Sequence, residues 1–147
     1  MNRSPYPRKL PHFDVGQAYY HIIFRLREGY LSDSEIVLIR DLIKERTCDL
    51  YRLIAIQVMS NHVHLILQPM PGIPISRIVH QVKGSTARKV NKGRGTSGAL
   101  WSDKYFDRVI RNQDDLEKTL AYMEQNSAEV GAGSHIQDYP GWEFVQD

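Results

Sequence analysis

Two runs of strand-forming residues, Tyr51 to Met59 and His62 to Gln68, are separated only by Ser60-Asn61. Both runs are rich in aliphatic and β-branched side chains, and Ser-Asn is turn chemistry. A connection this short joins antiparallel neighbours, so residues 51–68 predict a β-hairpin that Pro69 brings to an end. Everything else in the chain has to be arranged around that hairpin.

Upstream, Tyr19-Tyr20-His21-Ile22-Ile23-Phe24-Arg25-Leu26 predicts a strand. Ser32-Asp33-Ser34-Glu35 supplies helix-capping chemistry, and Ile36, Ile39, Leu42 and Ile43 follow at helical spacing, so a helix is expected to about Asp49. Downstream, Gly72 and Pro74 open a turn, and Ile75, Ile78, Val79 and Val82 predict a second helix continuing towards Asn91. Lys92 to Gly98 is expected to be a flexible loop, and Tyr105 to Ile110 a short fourth strand. Asp114 and Asp115 favour the start of a last helix with Leu116, Leu120 and Met123 as its apolar positions. Pro5, Pro7 and Pro11 predict an irregular lead-in over residues 1–17, and Gly131, Gly133, Pro140 and Gly141 a tail lying across the surface. The order predicts an α+β fold, a ferredoxin-like antiparallel sheet with helices on one face. With 147 residues and no repeat or linker, a single domain is expected over 1–147.

Composition narrows the function. No apolar run approaches the roughly 18 residues that a membrane span needs, and the N-terminus has no apolar stretch behind its basic residues, so a cytoplasmic protein without a membrane partner is expected. One cysteine, Cys48, excludes a disulfide framework and a cysteine-based zinc site. The net charge of +2 conceals an asymmetry: residues 77–111 carry 9 Lys/Arg against 2 Asp/Glu, and residues 112–147 carry 1 against 8. Such a basic segment is either a solvated face or a local anion-binding feature, with nucleic acid the leading partner.

Two constellations carry chemistry. His62 and His64 lie two apart on the hairpin's second strand and so share a face, opposite Val63, Leu65 and Leu67. Two adjacent imidazoles can offer nitrogens to one cation, although two surface histidines beside a turn give the same pattern. Tyr122 and Asn126 are four apart on the last helix and share its face. A tyrosine hydroxyl is a possible nucleophile and an asparagine amide oxygen a hard ligand for Mg²⁺ or Mn²⁺, while half-buried packing is the common alternative for such a tyrosine.

Asn61-His62-Val63-His64-Leu65-Ile66-Leu67 resembles the HUH motif (His, hydrophobic residue, His), and Leu120-Ala121-Tyr122-Met123-Glu124-Gln125-Asn126 resembles the Tyr-x-x-x-Asn/Gln helix of single-tyrosine transposases. Trp101 to Arg111 is similar to the segment preceding that helix, and Tyr20 to Arg25 to the first strand. Over about residues 18–131 the chain thus resembles the HUH-type insertion-sequence transposases and the REP-associated tyrosine transposases. One departure is Ser127, where many relatives have proline.

The resemblance implies cleavage and rejoining of single-stranded or hairpin DNA through a 5′-phosphotyrosine formed by Tyr122. It implies a divalent cation, Mg²⁺ or Mn²⁺, on His62, His64 and Asn126, and leaves open whether Gln125 joins or replaces Asn126. It also implies a homodimer. Lys83, Arg88, Lys89, Lys92, Arg94, Lys104, Arg108 and Arg111 are then candidates for contacts to the DNA backbone. Loss of activity below about pH 6 is expected as ordinary imidazoles protonate. Two other readings stay open: a metal-dependent phosphoesterase with a water nucleophile, and a non-catalytic binder of structured DNA.

The charge asymmetry generates a prediction of its own. Affinity for single-stranded DNA is expected to fall with salt at about −0.7 in log K per log salt for each phosphate neutralised. Replacing Arg88 and Lys89 together by Ala should flatten that slope in a fluorescence anisotropy titration, whereas charge reversal at Glu35 and Glu45 should leave it unchanged.

Overall fold

The computed structural model describes residues 18–45, 49–129 and 141–145. The expected irregular lead-in and residues 131–140 of the tail lie outside the described residues. Five strands and three helices follow in the order β1 (Tyr19–Leu26), α1 (Asp33–Glu45), β2 (Tyr51–Val58), β3 (His62–Pro69), α2 (Ile75–Arg94), β4 (Trp101–Ile110), α3 (Gln113–Glu129) and β5 (Trp142–Phe144). The strands form one antiparallel sheet in the order β4-β1-β3-β2-β5. Its first four members reproduce the ferredoxin-like arrangement, and the fold is α+β.

The hairpin closes as its short connection requires. Val58 pairs with Val63, and the Met59 N–H donates to the His62 carbonyl at 2.8 Å. At the start of α1 the capping chemistry is reciprocal: the Glu35 N–H donates to Ser32 Oγ (3.2 Å) and the Ser32 N–H to Glu35 Oε1 (2.8 Å).

Strand alternation sorts the apolar residues into two clusters on opposite faces. On the first face, Ile22, Phe24, Leu26, Val63, Leu65 and Leu67 pack with Ile36, Ile39 and Ile43 of α1 and Ile78, Val79 and Val82 of α2. On the second, Tyr19, Ile54, Ala55, Ile66 and Ile110 pack with Leu116, Leu120 and Met123 of α3 and with Trp142. The expectation of helices on one face therefore holds for α1 and α2, while α3 crosses the other. The cause is apolar area: the first face is already covered, and the second presents a matching patch at one end. Each large side chain buried there contributes about 1.5–3 kcal/mol.

Helix α1 is described to Glu45, and Asp49, its expected end, stands in a turn; two further boundaries and one added strand differ from expectation, each for a local reason. Helix α2 runs through Arg94 into the glycine-containing stretch and stops at Gly95, whose φ of 69° forms a left-handed cap with the Thr96 N–H donating to the Asn91 carbonyl. Strand β4 begins at Trp101, whose ring meets Phe24 edge-on at 4.8 Å and whose indole N–H donates to Thr86 Oγ1 at 2.9 Å. Strand β5 pairs with β2 and is tied to α1 by the Lys44–Glu143 ion pair (2.7 Å). Among the described residues no helix is long and apolar enough to cross a membrane.

A clamp joins the two ends of the α1–α2 layer. Arg94 donates to both carboxylate oxygens of Glu35 (2.7 and 2.9 Å) and to the Tyr30 carbonyl (2.9 Å). Hydrogen bonds from Arg94, aided by those from Ser32 and opposed by partial burial, hold the Glu35 carboxyl down from 4.5 to about 2. A carboxylate whose pKa is lower in the folded state stabilises above its unfolded value, and that stability is lost as the pH falls through the folded value. Arg94→Ala is therefore expected to be less stable than the parent at pH 7 by at most about 1 kcal/mol in urea unfolding. The gap should close between pH 4.5 and 2.

Candidate active site

Strand β3 lies between β1 and β2, so its two histidines stand in the middle of the second face. The pairing places Gln57, His64, Ile23 and Phe106 in one row across four strands, with Arg25 beside His62 in the next. His64 is only 2% exposed. The His62 and His64 rings meet at 69° with centroids 4.9 Å apart.

A third histidine completes the cluster. His21 is the diagonal cross-strand neighbour of His64, and its Nε2 lies 3.0 Å from His64 Nδ1, the two rings nearly parallel at 5.2 Å. With the His64 proton on Nδ1 and donated to His21, His64 Nε2 keeps its lone pair. His62 is oriented in the same way: its Nδ1 lies 2.8 Å from Asn61 Oδ1, an acceptor, so Nδ1 carries the proton and Nε2 is the free donor of electrons.

All three imidazoles are held neutral. Burial, then the positive charges of its neighbours, lowers His64 to about 3, and burial with Arg108 lowers His21 to about 4. His62 is lowered too, by burial and then by Arg25. The acid limit expected near pH 6 from ordinary imidazoles therefore moves downwards for His21 and His64, because water that would solvate imidazolium is excluded.

Helix α3 brings Tyr122 to this cluster within the same chain. Its ring sits 6.2 Å from His64 at 73° and is 54% exposed. Asn126 follows one turn later and is half-buried. The helix is tied down at its start and again beside Tyr122. At its start Asn112 Oδ1 accepts the Asp115 N–H at 2.8 Å, and Arg108 of β4 donates to both Asp115 carboxylate oxygens (3.0 Å each) and to Thr119 Oγ1 (2.7 Å). Next to Tyr122 the Gln57 amide donates to the Met123 carbonyl.

Among the described residues no group of three or more His, Cys, Asp or Glu side chains is set to hold a metal ion. A cation here would rest on the lone pairs of His62 and His64, with oxygen ligands completing the shell. Neutral, preoriented imidazoles fit that role.

The eight basic candidates fall into two groups. Lys83, Arg88, Lys89, Lys92 and Arg94 belong to α2, behind the sheet, and are not gathered with the histidines. Lys83 donates to the Ser102 and Lys104 carbonyls (2.7 and 3.2 Å), and Arg94 forms the Glu35 clamp. Lys104, Arg108 and Arg111 lie on β4 or at its exit, with Arg108 holding α3. Sequence reasoning missed His21 and Gln57 as members of the site. His21 has the alternation that would put it on the histidine face, but only the β1–β3 register brings it to His64.

The profile of the IS200-like transposases matches residues 14–126, and the chain belongs to that family. A Haemophilus influenzae protein provisionally named a REP-associated tyrosine transposase is 27% identical over 146 residues, covering 90% of this chain and 81% of that protein. A solved structure of a REP-associated tyrosine transposase bound to a REP hairpin superposes with a TM-score of 0.68 at 19% identity, covering 95% of this chain and 82% of the other. A provisionally named transposase from Deinococcus radiodurans gives 0.57 at 24% identity, covering 80% and 96%. The two superpositions bear on the fold.

The histidine cluster predicts its own titration. The Cε1–H resonances of His21 and His64 should not move between pH 8 and 5 in an NMR titration. Their depressed values make the folded state lose stability as the pH falls below the ordinary 6.5. A midpoint near 6.5 for either ring would contradict the buried, hydrogen-bonded pair.

Proposed function

We propose that the chain is a REP/IS200-type transposase that cleaves and rejoins single-stranded DNA at hairpin-flanked sites, its catalytic domain spanning about residues 18–131. The observation that carries this reading is Tyr122, exposed on a helix tied at its start and again at Met123, with its ring beside His64 and Asn126 one turn away. The names of the relatives, one of them with a REP hairpin, agree with it.

In this mechanism Tyr122 Oη attacks the scissile phosphorus. The new P–O bond forms as the bond to the 3′-oxygen breaks, and that oxygen leaves with a proton as a free 3′-hydroxyl. The 5′-phosphate stays on Tyr122 until a second 3′-hydroxyl attacks it and restores the tyrosine. His62 and His64 would hold a divalent ion such as Mg²⁺ or Mn²⁺, with Asn126 or Gln125 as an amide oxygen ligand. When bound, such an ion polarises the phosphate and stabilises its developing charge. His21 orients His64 through the Nε2–Nδ1 hydrogen bond. Arg108 and Gln57 keep α3, and so Tyr122, beside the histidine cluster. One nucleophilic tyrosine per chain means that two DNA ends require two chains, hence a homodimer; the setting of that reaction is the cytoplasm.

Incubation with Mn²⁺ and a labelled hairpin oligonucleotide from the flanks of the protein's own gene should yield a denaturant-resistant protein–DNA adduct. Tyr122→Phe is expected to abolish the adduct while binding stays within a few-fold, since only a hydroxyl is lost. His64→Ala should lose at least about 100-fold in rate, on the order of removing a positioned catalytic group. Cleavage by Tyr122→Phe would indicate a water nucleophile, and undiminished cleavage in EDTA would exclude the metal.

A further inference from the structure

The second face is only partly covered. Helix α3 packs over Tyr19, Ile110, Ile66, Ile54 and Ala55, leaving the opposite corner of β1 and β4 open among the described residues. Phe106 stands there, 70% exposed, one of three large apolar side chains so exposed among the described residues. Its direction is fixed by its neighbours. Tyr105 before it packs into the first-face core, and Arg108 two residues later reaches α3, so Phe106 points to the histidine side.

Its position is specific. His64 pairs with Ile23, and Ile23 with Phe106, so the ring lies in the His64 row two strands away, about 10 Å at the usual strand spacing. Arg25 is exposed on the same face, beside His62. A phosphate held at the histidines thus has a cation next to it and an aromatic ring just beyond.

We infer that Ile23, Arg25 and Phe106 form a platform for the unpaired nucleotide adjoining the scissile phosphate, its base stacked on Phe106 and its backbone held by Arg25. This deepens the DNA-cleaving reading and rests on it. The chemistry is the usual one for single strands: an aromatic face accepts any base, and a nearby cation follows the backbone. A second protein copy fits less well, because one ring set among Arg25 and Arg108 is not the contiguous apolar patch a protein contact buries. The exposed ring belongs to neither apolar cluster of the core.

The test reads binding without turnover. In the Tyr122→Phe background and in EDTA, anisotropy gives the affinity for a fluorescein-labelled hairpin with a thymidine tail, and for tails with one abasic site stepped along them. Phe106→Ala should weaken binding to the intact tail roughly 5- to 100-fold, the loss of one base–aromatic stack. At one tail position the abasic site should cost the parent a similar factor and cost Phe106→Ala nothing more. Phe106→Trp should restore affinity, and Arg25→Gln should lower the salt slope by about 0.7, one phosphate's worth.

Parental affinity in Phe106→Ala at an unchanged Tm overturns the platform, as does a loss indifferent to the abasic position. A changed oligomeric state in sedimentation with unaltered tail affinity also overturns it, in favour of a contact between copies. The protein with Tyr122 intact separates the two readings. A missing covalent adduct with the Phe106 coupling preserved removes the cleavage reading and supports the platform as a single-strand binding surface. An adduct without the coupling removes the platform alone.

Discussion

The pairing of β1 with β3 is the constraint on which the site depends. It sets His21 diagonal to His64, Ile23 opposite His64, and Arg25 opposite His62. A slip of one residue would turn Ile22 and Phe24 towards the histidines and drive His21 and Arg25 into the α1–α2 core. Such a slip is prohibited by the same apolar residues that build that core, so the fold's main source of stability also fixes the geometry of its most polar cluster. Burying imidazoles is tolerable because they stay neutral and one nitrogen of each ring is engaged, His21 with His64 and His62 with Asn61.

Local signals made much of this visible in the chain itself. The hairpin, the capping box at Ser32 and Glu35, the α1 and α2 core positions and the shared face of His62 and His64 follow from turn chemistry and periodicity. The family's motifs pointed to Tyr122 and Asn126. Long-range information was harder to read. The contact between His21 and His64 spans 43 positions and depends on register, and the tie from Gln57 to Met123 spans 66. The placement of α3 depended on which sheet face remained uncovered, a property of the assembled sheet rather than of residues 113–129. Charge alone does not tell where its carriers go: residues 77–111 are strongly basic, α2 carries five of the candidates to the face away from the histidines, and Arg94 and Arg108 engage carboxylates of the protein.

Tyr122 combines an exposed ring with a restrained backbone. Arg108 and the Asn112 cap fix the first turns of α3, the Leu116, Leu120 and Met123 stripe seats its middle, and Gln57 holds the turn after the tyrosine. Under the proposed function, a long substrate meets a ring left open by the described residues and a backbone already held in place. That division suits a reaction in which alignment supplies much of the rate.

The short β5 strand has a consequence for the molecule's behaviour in a crowded solution. Tyr51 to Val58 would otherwise be the rim of the sheet, an almost wholly buried apolar strand with unpaired backbone groups facing outward. Three residues of β5 cover part of that rim, and Trp142 closes the apolar cluster beneath it. At the opposite rim β4 needs no such cover, because Asp103, Lys104, Asp107 and Arg108 are exposed along it and oppose strand-to-strand self-association. Residues 141–145 thus shield part of a strand whose bare backbone and apolar side chains would otherwise invite pairing with another chain.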